Sequence, residues 1–185
     1  MGSNNEGVIH RARRGTVTNE LEAHRAGKEV MLHAPMSTVE GTPLGRGGLI
    51  PDLDRESFQK RLETALEQVP HIRGINNHMG SDLTQRRREM AWVMQELRWR
   101  DLYFVDSRTS DKTVAATVAA EFNVPHLSRN VFLDNERDAQ AIDRKFEELL
   151  ARAHRDGMAV AIGHPYPETI AYLEQAMLTV HDRGV

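Results

Sequence analysis

The sequence has no cysteine, so disulfide bonds and thiolate metal sites are both excluded. It has no apolar run near the roughly 18 residues that span a membrane, and we expect no membrane-spanning segment. With a formal net charge of -3, it lacks the positive excess of nucleic-acid-binding proteins, so we expect no nucleic-acid partner. Residues Met1 to Arg14 hold no apolar stretch of the signal-peptide type.

The composition is typical of a globular protein, with 39% hydrophobic and 28% charged residues in a chain of 185. This length favours one domain with a sizeable core, which we place at residues 17–185. Residues 1–16 are polar and basic and cannot bury enough apolar surface to become ordered. We therefore expect a flexible N-terminal arm there, or a cloning remnant that includes Met1-Gly2-Ser3.

Apolar runs alternate with helical patterns along the chain at a spacing of roughly 30 residues or more, which is typical of parallel βαβ units. The predicted helices begin after Asp54, Thr84 and either Ser110 or Asp111, which are favourable capping residues. The sequence predicts an α/β protein whose parallel sheet has roughly four to six strands, with helices outside. The predicted strands are Glu29–His33, His71–Ile75, Leu102–Val105, Val124–Leu127, Val131–Asp134 and Met158–Ile162.

Polar side chains stand where several of these strands end. His33, Asp106 and His164 each lie at or just after such an end, and Gly74–Ser81 is expected to form a polar loop that carries His78. The carboxyl ends of parallel strands meet at one edge of a sheet, which is where ligands bind in these folds. We therefore expect these side chains to share one site. The alternative is a polar surface turn with structural histidines.

Such a cluster limits the chemistry that is possible. Neutral imidazoles suit zinc or a similar divalent ion, and a catalytic zinc takes about three protein ligands and one water. Such a metal polarises a carbonyl and activates a water, which then needs a carboxylate as base and a histidine as acid for the leaving group; Asp106 and His164 are candidates. Arg108 could hold a carboxylate or an oxyanion, although a solvated ion pair with Asp106 explains both residues equally well. A sugar-phosphate enzyme without metal is disfavoured, because no glycine-rich phosphate loop precedes a helix.

Five motifs resemble the divergent polysaccharide deacetylases, a branch of the carbohydrate deacetylases. The resemblance covers about residues 21–178. It implies a distorted (β/α) barrel of parallel strands, of the glycoside hydrolase and deacetylase type, with a carbohydrate substrate and a divalent metal, usually zinc. The motifs are Gly27-Lys28-Glu29-Val30-Met31-Leu32-His33, His33-Ala34-Pro35-Met36, Asn76-Asn77-His78-Met79-Gly80-Ser81, Val105-Asp106-Ser107-Arg108-Thr109 and Ile162-Gly163-His164-Pro165.

The resemblance also implies roles for individual residues. His33 corresponds to the first metal ligand of the superfamily, and His78 is then a second ligand from the following strand. His164 stands where the general acid stands. The other implied residues are Asp106 and Arg108 on the catalytic side and Asn77, Ser81 and Tyr166 on the substrate side.

Two departures from the family pattern concern the metal and the base. Family members begin with a strand that ends in two aspartates, whereas this chain has no aspartate before Asp52. Ser37 stands four residues after His33, where related enzymes place another ligand. We therefore expect a barrel that is incomplete at its N-terminal edge, with weak zinc binding and little deacetylation. A homo-oligomer is one way to cover that exposed edge.

Two functions fit the resemblance. The first is a metal-dependent carbohydrate deacetylase-like hydrolase that acts on an N-acetylated envelope glycan. The alternative is a catalytically inactive relative that binds a glycan or a protein partner. An envelope glycan as substrate favours the periplasm or the cell envelope as the place of action.

Overall fold

The computed structural model describes residues 7–11, 17–45 and 47–184 of the chain. Its contacts group into two compact units, Met1–Leu127 and Ser128–Val185, where we expected one domain over residues 17–185. Each unit has a hydrophobic core of its own.

The first unit is built on a five-stranded sheet with strand order β1-β2-β3-β4-β5. Neighbouring strands pair in parallel from β1 to β4, so the predicted parallel α/β class is confirmed. The apolar runs of the sequence form these strands because helices cover them. The strands are β1 Gly7–Arg11, β2 Glu29–Met36, β3 Ile72–Met79, β4 Tyr103–Asp106 and β5 His126–Ser128.

Helices of the first unit pack their apolar stripes on this sheet. The helix after Asp54 begins as predicted, because the Asp54 carboxylate accepts a hydrogen bond of 2.7 Å from the Ser57 N–H. Thr84 is not a helix cap: it is buried in a 3-10 turn, Leu83–Gln85, and its hydroxyl donates to the Gly80 carbonyl. The helix predicted after Ser110 or Asp111 begins only at Ala115. The helices are α1 Val17–Arg25, α2 Arg55–Glu67, α3 Arg87–Trp99 and α4 Ala115–Glu121.

The N-terminal edge of the sheet differs from our expectation. Residues 1–16 were expected to be a flexible arm, yet Gly7–Arg11 forms β1 and pairs with β2, Gly7 opposite Glu29 and Arg11 opposite His33. The short run Gly-Val-Ile is a strand because its backbone pairs with the edge of β2, and the local sequence pattern does not reveal such pairing. The edge of β2 that we expected to be exposed is therefore covered by a strand, although that strand carries no aspartate. The rest of the predicted arm lies outside the described residues.

Strand β3 is longer than predicted and includes most of the expected polar loop. It runs through Met79, with Pro35 opposite His78 and Met36 opposite Met79. The polar run stays in the sheet because its amides bond to the neighbouring strand, as described below. Met79 and Gly80 then take positive φ values of 56° and 93°, which turn the chain out of the sheet.

The second unit contains a two-stranded parallel sheet and two helices. Strands β6 Val131–Phe132 and β7 Ala161–Ile162 pair with Val131 opposite Ala161. Helix α5, Ala139–Asp156, is capped by Asp138 and ends at Gly157, whose φ of 81° stops the helix. Helix α6 is Pro167–Val180, followed by a 3-10 turn at His181–Arg183. Among the described residues of both units, no helix has the length and apolar character needed to cross a membrane.

Candidate metal and proton-transfer sites

The first unit brings His33 of β2 and His78 of β3 into direct contact. His33 Nε2 lies 3.0 Å from His78 Nδ1, and the rings meet edge to face with centroids 4.8 Å apart. The contact follows from the register, because His33 is opposite Asn76 and His78 lies two residues further along the neighbouring strand. Both imidazoles are partly buried.

Asn76 determines which nitrogen of His33 carries a proton. The Asn76 amide nitrogen donates to the Val105 carbonyl at 2.8 Å and to the Ser107 hydroxyl at 2.7 Å. Its oxygen therefore faces His33 Nδ1, at 2.7 Å, and an amide oxygen can only accept. His33 Nδ1 must carry a proton, so the Nε2 of a neutral His33 presents its lone pair toward His78.

The two imidazoles are placed as two of the ligands of a divalent metal ion would be. Two imidazole nitrogens on one tetrahedral zinc, each at about 2.05 Å, stand about 3.4 Å apart. The observed 3.0 Å is within a small side-chain shift of that separation. Asn76 supplies the outer hydrogen bond that metal-ligating histidines almost always make. No group of three or more His, Asp or Glu side chains able to hold a metal occurs among the described residues, so the pair fits part of a ligand set.

Asn77 lies beneath this pair rather than at the surface. It is 1% exposed, its oxygen accepts from the Ser107 N–H at 2.8 Å, and its nitrogen donates to the Met79 carbonyl at 2.6 Å. The Ser107 hydroxyl returns a bond to the Asn77 carbonyl. The substrate-binding role predicted for Asn77 stays a prediction; in the structure its amide joins the ends of β3 and β4.

Asp106 is also buried, at 1% exposure. One carboxylate oxygen accepts from the Arg108 N–H at 2.8 Å and the other from the Thr113 hydroxyl at 2.9 Å. Arg108 is exposed and has a positive φ of 47°, a strained conformation for a residue with a side chain. The catalytic role predicted for Asp106 stays a prediction; in the structure both carboxylate oxygens hold the turn after β4. Its burial excludes the solvated ion pair with Arg108.

Two serines beside the pair connect loops to strand ends. Ser37, which lies four residues after His33 in the sequence, donates its hydroxyl to the Asp82 carboxylate at 2.7 Å. The Ser81 hydroxyl accepts from the Val39 N–H at 3.1 Å. Ser81 is partly exposed, so its predicted contact with substrate stays a prediction.

The second unit contains an aspartate–histidine pair. Asp134 and His164 each stand two residues beyond the registered partners Phe132 and Ile162. Asp134 is buried, and its carboxylate accepts from three donors: His164 Nδ1 at 3.0 Å, the His164 N–H at 2.5 Å and the Thr169 hydroxyl at 2.9 Å. The His164 side chain is 49% exposed. Its Nδ1 faces a carboxylate, so in neutral His164 Nε2 is the acceptor.

Tyr166 and Gly163 complete this local arrangement. The Tyr166 ring lies 5.0 Å from the His164 ring and 3.7 Å from the Arg137 guanidinium. At Gly163 a Cβ atom would lie 3.3 Å from the Asp134 carboxylate, so glycine leaves room for this close approach. Tyr166 is partly exposed, and its predicted contact with substrate stays a prediction.

The structure thus brings together His33 with His78, and Asp134 with His164, each pair within one unit. That His33, His78, Asp106 and His164 serve one site stays a prediction. Sequence reasoning missed Asp134 of the second pair, and Asn76, which bonds to His33 of the first. Both had a visible signal: Asp134 follows an apolar strand as the other candidates do, and Asn76 belongs to the polar run that we singled out.

Comparisons with known proteins identify the family of this chain. A family model described as divergent polysaccharide deacetylase matches residues 13–185. The uncharacterized protein YibQ of Escherichia coli (strain K12) is 38% identical over 154 residues, which is 83% of this chain and 48% of YibQ. An uncharacterized protein of Haemophilus influenzae is 36% identical over 156 residues, 84% of this chain and 56% of that protein. The chain thus spans about half the length of the curated relatives it matches.

A solved structure supports the fold. The crystal structure of the uncharacterized protein ATU2773 from Agrobacterium tumefaciens C58 has a TM-score of 0.90 and 23% identity to this chain. The match covers 95% of this chain and 74% of that one, and it shows a shared fold. Since the family model extends over residues 13–185 and two relatives exceed 30% identity, the chain belongs to the divergent polysaccharide deacetylase family.

Proposed function

We propose that this chain forms part of a metal-dependent carbohydrate deacetylase that removes acetyl groups from an N-acetylated glycan of the cell envelope. The observation that carries the proposal is the 3.0 Å contact between His33 Nε2 and His78 Nδ1, with the His33 tautomer fixed by Asn76. Family membership supports the class of substrate. A substrate of this kind implies action in the periplasm or at the cell surface.

His33 and His78 would hold the divalent ion, zinc or a similar metal, through the two nitrogens that now face each other. When bound, such an ion would polarise the acetyl carbonyl and make a neighbouring water more acidic. The chain's own contribution is orientation: Asn76 keeps His33 Nδ1 protonated, and the buried Asn77–Ser107 bonds keep β3 and β4 in register.

His164 supplies proton transfer in the proposed reaction. Hydrolysis adds water to the acetamide carbon, breaks the C–N bond, and yields acetate and a free amine. The departing nitrogen needs a proton, and the attacking water has one to lose. His164 Nε2 can accept the proton of the water and pass it to the nitrogen, because that atom faces away from Asp134. Asp134 orients the ring, as a buried carboxylate beside histidine Nδ1 does in other hydrolases.

A second candidate function is a catalytically inactive relative that binds a glycan or a protein partner. Two observations favour it: the described residues offer no cluster of three metal-ligating groups, and β1 carries no aspartate. The two candidates make different predictions for metal-dependent acetate release.

The deciding experiment measures acetate release from N-acetylglucosamine oligomers by the metal-stripped chain, with and without added zinc or cobalt. We expect slow release that depends on the metal, because only two ligands are identified. His78→Ala should abolish both the release and the metal binding seen by calorimetry. His126→Ala is the matched control, because that imidazole contacts only the Val124 carbonyl in the described part of the chain.

His164→Ala separates the proton-transfer role from metal binding. It should lower kcat while zinc affinity stays that of the parent chain. A folded chain that binds zinc yet releases no more acetate than His78→Ala would contradict the deacetylase proposal and favour the inactive relative.

A further inference from the structure

A groove lies in the first unit, between the segment that follows β2 and helix α2. It has a volume of about 300 Å³. Its lining combines hydroxyl groups, one guanidinium group and apolar side chains, a mixture that suits a sugar ring with a charged substituent. The lining residues that matter here are Ser37, Thr38, Thr42, Leu44, Ile50 and Arg61.

The groove is held in shape by backbone bonds at the base of its loop. The Ser37 N–H donates to the Leu49 carbonyl at 3.0 Å, and the Leu49 N–H donates to the Pro35 carbonyl at 2.8 Å. Leu49 is 2% exposed and pairs with Met36 as an additional bridge of the sheet. Because the loop is closed at its base, a ligand would meet a largely preformed surface.

Thr38 also shapes the inside of the loop. Its hydroxyl oxygen accepts from the Thr42 N–H at 2.9 Å, which leaves its own proton to donate. Gly48 permits the tight return of the loop, because a Cβ atom there would lie 2.6 Å from the Leu44 Cβ.

Arg61 is the only cation that lines the groove among the described residues. It is partly buried, and its Nη1 donates to the Gly48 carbonyl at 2.7 Å. No ion pair between Arg61 and a carboxylate is found in the described part of the chain. The bond to Gly48 fixes the guanidinium plane and leaves the Nε–Nη2 edge, which has the fork geometry that binds a carboxylate through two hydrogen bonds.

We infer that this groove binds the carboxylate of an acidic saccharide, with Arg61 as the anion-binding group and the hydroxyl groups beside it on the sugar. The groove begins at Ser37, four residues beyond His33 along the same strand direction, or roughly 13 Å at the usual rise per residue. An oligosaccharide can span that distance. The inference rests on the proposed carbohydrate function, and it assigns a charged sugar unit to one end of the substrate.

The test measures the affinity of the parent chain for two ligands by calorimetry, in neutral buffer at low ionic strength. A chelator is present so that no metal contributes. One is the disaccharide of N-acetylglucosamine and N-acetylmuramic acid, which carries a carboxylate. The other is N,N′-diacetylchitobiose, which has the same acetamido groups and no charge. We expect the acidic disaccharide to bind about tenfold more tightly, the usual scale of a charge-assisted hydrogen bond.

Variants of α2 assign the effect to Arg61. Arg61→Gln should remove the preference, and Arg61→Lys should keep only part of it, because lysine retains the charge and loses the fork. Lys60→Gln is the control, since it removes the same charge from the neighbouring exposed position. Thermal melting of each variant checks that the fold persists.

Equal affinity for the two disaccharides, or a preference that survives Arg61→Gln, would overturn the inference. Inorganic phosphate that displaces the acidic disaccharide at equal concentration would show a general anion site instead of a saccharide site, and would also overturn it. These readouts do not involve acetate release. A chain that prefers the acidic disaccharide but releases no acetate would therefore reject the proposed catalysis and leave this groove assigned.

Discussion

Asn76 connects three strands through one amide group. Its nitrogen reaches the Val105 carbonyl and the Ser107 hydroxyl on the β4 side, and its oxygen reaches His33 on β2. The residue is fully buried, so each of these bonds forms away from competing water. A buried amide with all of its partners in place specifies one ring orientation for His33, and thereby the nitrogen that is offered to a ligand.

Replacing Asn76 by alanine should therefore affect both stability and metal binding. Asn76→Ala removes the buried hydrogen bonds of this amide to the Val105 carbonyl, the Ser107 hydroxyl and His33 Nδ1, which should cost about 1–3 kcal/mol of unfolding free energy. Loss of an outer hydrogen bond to a ligating histidine should weaken zinc binding by about 10- to 100-fold. Urea unfolding and zinc calorimetry measure the two effects. Asn135→Ala, at an exposed position, is the control, and an unchanged zinc affinity in Asn76→Ala would contradict the role given to this amide.

The sequence indicated the residues of the candidate sites better than their roles. His33, His78 and His164 could be found because polar side chains at the ends of parallel strands are a local pattern. Whether such a side chain faces solvent or the protein interior depends on the neighbouring strand, which periodicity does not reveal. Asn77 was predicted to bind substrate and Asp106 to take part in catalysis, and the structure adds that both side chains are buried and bonded to backbone N–H groups.

At the scale of the elements, parallel strands were predictable and their limits were not. The sequence predicted β4 to within one residue at each end and predicted where β2 begins, because each is a nearly continuous apolar run. Strand β2 continues to Met36, three residues past the predicted end at His33. Strand β3 continues through Asn-Asn-His because the amides bond to strand β4, and β1 forms because it pairs with β2, so both depend on contacts distant in sequence. Thr84 and Ser110 have the right chemistry for helix caps, but Thr84 bonds to Gly80 instead.

The pairing of β3 with β4 depends on a glycine at position 74. A Cβ atom there would lie 2.5 Å from the Tyr103 ring and 2.7 Å from the Tyr103 carbonyl, so the backbone itself would have to shift. Gly74→Ala should therefore lower the unfolding free energy by about 1–3 kcal/mol, the usual cost of forcing extra volume into packed structure. Chemical denaturation measures the loss. A Gly74→Ala variant as stable as the parent would show that the ring moves aside without cost.

At the scale of the whole molecule, each unit contains a parallel sheet and a polar pair; the pair lies within strands β2 and β3 in the first unit and just beyond the strands in the second. The pair is His33–His78 in the first unit and Asp134–His164 in the second. The two pairs differ in chemistry, since one offers two imidazoles and the other joins an imidazole to a buried carboxylate. The two proposed roles, metal binding and proton transfer, can therefore be tested separately, by substitution in one unit at a time.

Tyr103 makes the stability of the molecule depend on alkaline pH. Burial, followed by the hydrogen bond of 2.6 Å to the Glu29 carboxylate, raises the pKa of the Tyr103 phenol well above its ordinary value of 10.0. The folded state thus keeps a proton that the unfolded chain loses. The stabilisation is fully present below pH 10.0 and declines as the pH rises above that value.

Urea unfolding of the parent chain and of Tyr103→Phe, repeated across this alkaline range, tests the linkage. The parent should lose stability more steeply than the variant as the pH rises. Tyr172, whose pKa is raised by burial and then by its bond to Asp143, should contribute a similar loss that remains in Tyr103→Phe. Parallel curves for the two proteins would contradict the assignment to Tyr103.

The bridge between Met36 and Leu49 has a consequence for how this protein can change. Since Ser37 and Leu49 are joined by backbone bonds, the segment between them begins and ends at nearly the same point of the sheet. Doubling the length of a flexible loop closed in this way costs only about 0.6 kcal/mol of closure entropy. The segment can therefore be lengthened or replaced without disturbing the histidines on strands β2 and β3. Under the proposed function, substitutions in this segment would change which glycan is preferred, both among relatives and in engineered variants.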